Sequence, residues 1–314
     1  MKKVLIMMLA LFLCLVSLSL PAMAEKKISV VATTFPIYDW ARQVIGDTDS
    51  VDLIMLLDSG VDLHSFNPTA VDIMKIANCD LFIYVGGESD DWVEDALKQA
   101  INPNMTAISL MEQLGEAAKE EEAVEGMEDA DDEEEAEYDE HIWLSLRNAS
   151  LFTQVICDAL SQKDAANAEA YRANAEAYRE KLAALDVRYA EMAEGASYKT
   201  LLFGDRFPFR YMVDDYGLSY YAAFKGCSAE TEASFKTVVF LAGKVDELGL
   251  PAVMTIEGTN HRIAETIVQS TKNRDQRILA VNSMQSVTSG DVKQGADYLD
   301  IMEKNLEIFR TALN

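Results

Sequence analysis

The chain has 314 residues, 49% of them apolar and 25% charged, which is enough for one large or two medium folded domains. Its formal net charge of -26 argues against a nucleic-acid partner, whose phosphates need lysine and arginine, and against docking on anionic lipid through a basic patch. A chain of this charge remains compatible with cationic ligands.

Residues 1–24 have the features of a secretory signal peptide. Two lysines precede an apolar run, and Ala-Met-Ala at 22–24 is a small-x-small cleavage site. We therefore expect the mature chain beyond the cytoplasmic membrane, either periplasmic or associated with the cell surface. The alternative is an uncleaved anchor, for which the apolar run is short. The residues before Cys14 are not the small ones of a lipoprotein signal.

Residues 25–160 alternate between strand and helix patterns. The predicted strands are rich in Ile and Val, and each is followed by a segment with apolar residues at helical spacing. They read KISVVA, VDLIMLL, LFIYVGG and MTAISL. This alternation predicts an N-terminal α/β lobe with a parallel sheet.

Residues 116–140 interrupt that pattern. From Glu120 to Glu140, 14 of 21 residues are Asp or Glu, and apolar periodicity is almost absent. Such a segment repels itself and stays solvated, which predicts a mobile acidic loop. It serves either as a solubilising loop or as a weak collector of cations.

Residues 161–195 predict one long helix. The segment is rich in Ala, Glu, Lys, Arg and Leu, with Tyr171, Tyr178 and Tyr189 at helical spacing. A helix of this length in the middle of an α/β chain is a candidate spine between two lobes. Gly195 is expected to end it.

Residues 196–314 return to alternating strands and helices. The predicted strands read KTLLFGD, SYYAAF, AVMTIEG and RILAVN, and the last helix reads YLDIMEKNLEIFRTAL. The predicted fold class is therefore α/β, with two lobes that each contain a mainly parallel sheet flanked by helices, joined by one long helix.

After removal of the signal peptide three cysteines remain, Cys79, Cys157 and Cys227. Three scattered cysteines do not form a disulfide framework, although one pair is conceivable. They lack CxxC spacing, which disfavours a cysteine-type zinc site. We expect them to be small buried apolar residues.

Four side chains are candidate ligands by their position. Ligands of open α/β sheets bind beyond the carboxyl ends of strands. His64, Asp205 and Glu257 each follow a predicted strand, and His141 follows the acidic loop. Imidazole together with carboxylate suits divalent transition metals such as zinc, manganese or iron. The alternative for each is a structural polar residue in a cleft.

The chain resembles the substrate-binding proteins of zinc and manganese ABC transporters, the group with a long rigid helix between two lobes. The resemblance runs nearly end to end. It is carried by VVATTFPIYDWARQVIGD, DLHSFNPTAVDIMKIANCDLFIYVGG, DEHIWLSLRNA, NAEAYRANAEAYREKLAALD, YGL, CSAETEAS and ILAVNSMQSVT. By this resemblance His64 and His141 match the family's first two metal-binding histidines.

The second lobe departs from the family pattern. The position of the third ligand, counted back from the YGL segment, is occupied by Arg206, which cannot bind a cation, and Asp205 beside it is expected to take over. The family's last ligand falls on Asn282 or Gln285, which are neutral oxygen donors. Glu257 is a nearby carboxylate that could bind metal or pair with Arg206.

The resemblance implies capture of zinc or manganese as a transported ligand and its delivery to the permease of an ABC transporter. We expect a monomer without catalytic function, and HExxH, GxSxG and P-loop motifs are absent from the sequence. The alternative is an adhesin or a degenerate binder of this fold that has lost its usual metal site.

Overall fold

The computed structural model describes residues 27–127, 137–228, 232–258 and 260–314. The signal peptide predicted at residues 1–24 lies outside these ranges. Across the described ranges, the search for a helix that is long and apolar enough to cross a membrane finds no candidate.

The N-terminal lobe is a four-stranded parallel sheet with helices packed on it. Its strands lie in the order β2-β1-β3-β4, as the alternation in the sequence predicted. They are β1 Ile28–Ala32, β2 Val51–Met55, β3 Leu81–Tyr84 and β4 Thr106–Ser109. The helices are α1 Phe35–Ile45, α2 Ala70–Asn78, α3 Trp92–Lys98 and α4 Leu110–Leu114.

Burial explains why the central strands are almost wholly apolar. In β1, Val30 and Val31 are both fully buried, because both faces of the sheet are covered. Helix α2 begins at a capping box in which Thr69 and Asp72 satisfy each other's backbone N–H groups, which ends the loop that carries His64.

Two helices connect the lobes. Helix α5 spans Leu146–Lys163 and helix α6 spans Ala168–Gly195, about 42 Å at 1.5 Å per residue. The predicted long helix is confirmed, but it begins at Ala168 rather than at 161. The carboxylate of Asp164 accepts hydrogen bonds from Asn167 Nδ2 (2.8 Å), Tyr171 OH (2.8 Å) and Ser50 Oγ (2.7 Å), and these bonds stabilise a turn there.

The C-terminal lobe repeats the architecture of the first. Its strands run in parallel in the order β6-β5-β7-β8. They are β5 Thr200–Phe207, β6 Ser219–Lys225, β7 Ala252–Ile256 and β8 Arg277–Val281. The helices are α7 Arg210–Tyr216, α8 Phe235–Leu248, α9 Arg262–Ser270, α10 Ser289–Lys293 and α11 Tyr298–Ala312.

One apolar core extends across both lobes, and a second, smaller cluster of buried residues lies within the C-terminal lobe. A single cluster of buried residues runs from β1 through α6 to β5 and α11. The hydroxyl of Tyr189 on α6 donates to Met302 O at 2.7 Å, and the hydroxyl of Tyr298 on α11 donates to Trp143 O at 2.6 Å. The last helix therefore fastens the second lobe to both the spine and the first lobe.

The acidic segment differs from its prediction at both ends. The hydroxyl of Tyr211 in the second lobe accepts from the N–H of Lys119 and donates to Asp139 O, whereas Glu140 accepts from Ser89 N–H in the first lobe. Glu120 pairs with Tyr138 in an antiparallel bridge. Lys119 forms an ion pair with Asp214 at 2.9 Å, and Met127 is buried. The ion pair of Lys119 and the burial of Met127 offset the conformational entropy that is lost when these ends become ordered. A count of acidic residues alone does not show these contributions. Residues 128–136 lie outside the described residues.

We expect Met127→Ala to lower the free energy of unfolding by about 2 kcal/mol. This is near the lower limit of the usual effect of truncating a buried methionine, because the end of a segment can detach locally without unfolding the rest of the protein. Urea unfolding followed by far-ultraviolet circular dichroism measures this change. Met74→Ala is the matched control, because Met74 is 54% exposed. Equal midpoints for the two variants would show that the segment does not contribute to stability.

Candidate metal centre

His64 lies in a short 3-10 turn, Leu63–Ser65, that follows β2. Asp62 begins this turn, and its Oδ1 accepts a hydrogen bond from the backbone N–H of His64 at 3.0 Å. The Nδ1 atom of His64 lies 2.7 Å from Ser89 Oγ and 3.4 Å from Glu140 Oε2. These contacts orient the ring so that Nε2 faces the cleft between the lobes.

His141 is fully buried just before a second 3-10 turn, Ile142–Leu144. Asp139 Oδ1 accepts hydrogen bonds from the backbone N–H of His141 at 2.8 Å and from its Nδ1 at 2.9 Å. Burial alone would lower the pKa of His141, but the carboxylate of Asp139, followed by those of Glu121 and Glu140, raises it above its usual value. The acidic surroundings therefore favour positive charge at this ring.

The two imidazoles meet at their Nε2 atoms, which are 3.2 Å apart. Two nitrogens bound to one tetrahedral zinc ion, each about 2.1 Å from it, would be roughly 3.4 Å apart. In both rings Nδ1 is held by a hydroxyl or carboxylate, an arrangement that fixes the tautomer and leaves Nε2 as the donor in metal sites. The structure thus brings together the two histidines that the sequence selected, in a geometry that fits a zinc ion.

Arg206 reaches across the cleft and pairs with a carboxylate of the first lobe. Its Nη2 donates to Asp62 Oδ2 at 2.7 Å, and both side chains are mostly buried. Burial raises the pKa of Asp62, but the charge and hydrogen bond of Arg206, together with His64, hold that pKa below its usual value. Arg206 is therefore neutralised by a carboxylate from the first lobe, where the sequence analysis had considered Glu257 as its partner.

The amide of Gln285 also enters the cleft from the second lobe. When its NH2 group faces Asp62, at 2.7 Å from Oδ2, its oxygen lies 3.1 Å from His141 Nε2. That orientation satisfies the donors and acceptors on both sides. In this orientation the amide oxygen of Gln285 is a neutral group of the second lobe that lies close to the histidine pair and could bind a metal ion.

The carboxylates of Asp205 and Glu257 are engaged elsewhere. Asp205 Oδ2 accepts hydrogen bonds from Thr255 Oγ1 (2.5 Å) and from the backbone N–H of Ile256 (3.2 Å). Glu257 accepts from the backbone N–H and the hydroxyl of Ser283, at 2.6 and 2.8 Å. These bonds fix the orientation of both carboxylates, which retain free lone pairs, and their assignment as ligands stays a prediction.

Cys227, which the sequence predicts to be a small buried apolar residue, is half-buried and lies beside the histidine pair. One ligand atom of each of His64, His141 and Cys227 lies within 4.8 Å of the others. Cys227 also lines a cavity of about 250 Å³ together with His64 and Glu140. Cys227 is not part of a CxxC motif, so cysteine spacing does not indicate a metal ligand here. It does follow strand β6 at the carboxyl edge of a parallel sheet, and the same position made Asp205 and Glu257 candidate ligands.

Carboxylates surround this cluster. Burial, followed by the carboxylates of Glu121 and Asp139, raises the pKa of the Cys227 thiol well above its usual value, so the thiol keeps its proton until a cation displaces it. Glu140 is almost fully buried, and its Oε2 has no hydrogen-bond partner within the described ranges. This oxygen lies 3.4 Å from His64 Nδ1, and a positive charge on that ring, or a cation bound to it, would stabilise the buried carboxylate.

Two parallel-sheet lobes on a long helix, with imidazoles converging in the cleft between them, define a two-lobed ligand-binding protein. Residues 30–312 match the family described as ZnuA, zinc-uptake complex component A, periplasmic. Because this match covers most of the chain, the protein belongs to that family.

Relatives and solved structures agree with this assignment. The chain is 32% identical over 316 residues to a zinc-binding lipoprotein, AdcA, of Streptococcus pneumoniae, covering 99% of this chain and 61% of the relative. It is 26% identical to the high-affinity zinc uptake system protein ZnuA of Bacillus subtilis, over 91% of this chain and 88% of the relative. The crystal structure of the Zn(II)-bound ZnuA-like domain of S. pneumoniae AdcA has a TM-score of 0.72 and 27% identity, covering 91% of this chain and 99% of that domain.

Proposed function

We propose that this protein captures zinc outside the cytoplasmic membrane and delivers it to the permease of an ABC transporter, without catalysing a reaction. The observation that carries the proposal is the pair of imidazole Nε2 atoms 3.2 Å apart in the cleft. Family membership supports it, as do relatives named for zinc binding and zinc uptake. The chain spans 61% of the length of the AdcA relatives, so whole-protein partners are part of the proposal.

Zinc is the proposed ion rather than manganese. Imidazole nitrogens suit zinc, whereas manganese prefers oxygen donors. His64 and His141 both belong to the first lobe. We therefore propose that they keep the same relative positions whether or not the ion is bound. The second lobe would complete coordination, so binding of the ion would stabilise the arrangement in which both lobes contact it.

The alternative of a degenerate binder rested on Arg206. The ion pair of Arg206 with Asp62 removes the main objection to a cation in the cleft, because the guanidinium charge is already balanced. A protein that had lost its metal would also have no need for carboxylates behind both histidine rings. These contacts favour a working site.

Metal content and uptake together test the proposal. The purified chain, stripped with a chelator and dialysed, should take up one zinc ion in competition with a chromophoric chelator and should bind manganese far more weakly. Loss of the gene should lower zinc accumulation by cells grown under zinc limitation. A stripped chain that binds neither ion, or a gene loss that leaves zinc accumulation unchanged, would contradict the proposal.

Zinc affinity should fall as the pH is lowered. A protonated imidazole cannot bind metal, and the pKa of His141 lies above its usual value. Proton competition should therefore begin at higher pH than for an ordinary histidine, with a loss of about tenfold per pH unit for each proton displaced. Competition titrations between about pH 8 and about pH 6 measure this slope. A flat profile would show that His141 is not a ligand.

A further inference from the structure

The position of the second lobe that matches the family's third ligand cannot supply one. That position, Arg206 near the end of β5, holds a guanidinium bound to Asp62 at 2.7 Å. In the neighbouring strand β6, Phe224 pairs with Arg206 in register, and Cys227 lies three residues further along the chain. The thiol therefore comes from the adjacent strand, at the same edge of the sheet.

The backbone around Cys227 is built to bring the sulfur close. A Cβ atom at Gly226 would lie 3.0 Å from His141 Cε1 and 3.0 Å from Phe207 O, so the backbone of this turn packs tightly against the His141 ring. The backbone N–H of Cys227 donates to Glu121 Oε1 at 2.8 Å, and this bond ties the turn to the base of the acidic segment. The close packing of Gly226 and the hydrogen bond of Cys227 together place the thiol beside the histidine pair.

We propose that Cys227 is a zinc ligand, donated as a thiolate by the second lobe to complete the site begun by His64 and His141. The inference rests on the proposed function and names a ligand for the same site. Their ligand atoms already lie within 4.8 Å of one another, and a tetrahedral zinc would need nitrogen and sulfur roughly 3.6 Å apart. Glu140 lines the same cavity as Cys227 and His64, and its Oε2 lies 3.4 Å from His64 Nδ1, so a carboxylate stands behind the imidazole that would bind the ion through Nε2.

A thiolate also solves the charge problem of this site. Two neutral imidazoles bring no charge to a divalent ion, Arg206 balances the carboxylate of Asp62, and the carboxylates of Asp139 and Glu140 lie behind the rings rather than on the ion. One thiolate supplies negative charge and is a soft donor that selects zinc over manganese. Cys227 thereby replaces the ligand that Arg206 cannot provide.

Cobalt substitution tests the sulfur ligand directly. The parent chain loaded with Co(II) should show a sulfur-to-cobalt charge-transfer band in the near ultraviolet. Cys227→Ser should lose that band and bind zinc at least about tenfold more weakly. Cys157→Ala is the matched control and should keep both properties, because Cys157 is buried within helix α5.

Cys227→Asp gives a second measurement, since exchanging a soft for a hard donor should lower the ratio of zinc to manganese affinity. A parent chain that binds zinc and cobalt but shows no charge-transfer band would overturn the assignment of Cys227 and leave the proposed function standing. Persistence of the band in Cys227→Ser would do the same. A parent that binds neither ion would defeat the function and the ligand together.

Discussion

Replacing His64 and His141 together by alanine should abolish specific zinc binding. Their Nε2 atoms are 3.2 Å apart, and the contacts that orient both rings come from the first lobe. Loss of a residue that merely orients a ligand costs about 10–100-fold in metal affinity, so loss of both ligands should cost more than about 100-fold. Competition titration with a chromophoric chelator measures the affinity.

His261 provides the matched control, because it is the third and last histidine of the chain. It begins helix α9 and contacts Thr255 Oγ1 at 3.1 Å, in the second lobe. His261→Ala should bind zinc as the parent does. If the double variant also binds zinc like the parent, while both melt at the parent's temperature, the histidine pair is not the site.

The fold could be predicted from the sequence because its signals are local. Apolar runs such as Val30–Ala32 predict buried parallel strands, and the alternation with helices predicts two α/β lobes. The start of the spine helix could not be placed, because the turn at Asp164 depends on Ser50, more than a hundred residues away. Hydrogen bonds between residues far apart in the chain produce no periodic pattern of apolar residues from which they could be predicted.

Only the part of the candidate site that the first lobe contributes could be predicted from the sequence. His64 and His141 lie in segments with recognisable neighbours, and the structure brings them together. Cys227 has no neighbouring cysteine, and its proximity to the histidines depends on the register of β6 and on Gly226. Likewise the pairing of Arg206 with Asp62 joins residues of opposite lobes, which spacing along the chain cannot show.

Asp62 is the central hydrogen-bonding residue of the cleft, and its removal should weaken zinc binding strongly. Its carboxylate accepts from the backbone of His64 at 3.0 Å and from Arg206 at 2.7 Å. Asp62→Asn leaves the guanidinium of Arg206 without its counter-charge beside a divalent ion. At an effective dielectric constant of about 20, the resulting repulsion is on the order of several kcal/mol, which solvent in the cleft will reduce. We expect zinc affinity to fall at least roughly tenfold.

A double-mutant cycle shows whether the effect acts through Arg206. Arg206→Met removes the charge while keeping an apolar stem, so it should raise zinc affinity by leaving the carboxylate of Asp62 unpaired, 4.0 Å from His64 Nε2. Arg206→His, which restores the imidazole of the family pattern, should raise it as well. The double variant Asp62→Asn, Arg206→Met should recover most of the affinity lost by Asp62→Asn, because neither charge remains.

Glu303→Gln is the control variant, which shows whether losing a carboxylate anywhere on the protein changes zinc affinity. It breaks the pair of Arg188 with Glu303, which has the same 2.7 Å separation but lies on a solvent-exposed surface, and it should leave zinc affinity unchanged. Isothermal titration at fixed pH and salt gives all the affinities, and thermal melts of the zinc-free variants separate binding from folding. If Asp62→Asn and Arg206→Met act additively, the two charges do not act on the ion as a pair. The ion would then lie closer to Asp205 or Glu257, the carboxylates that the sequence nominated in the second lobe.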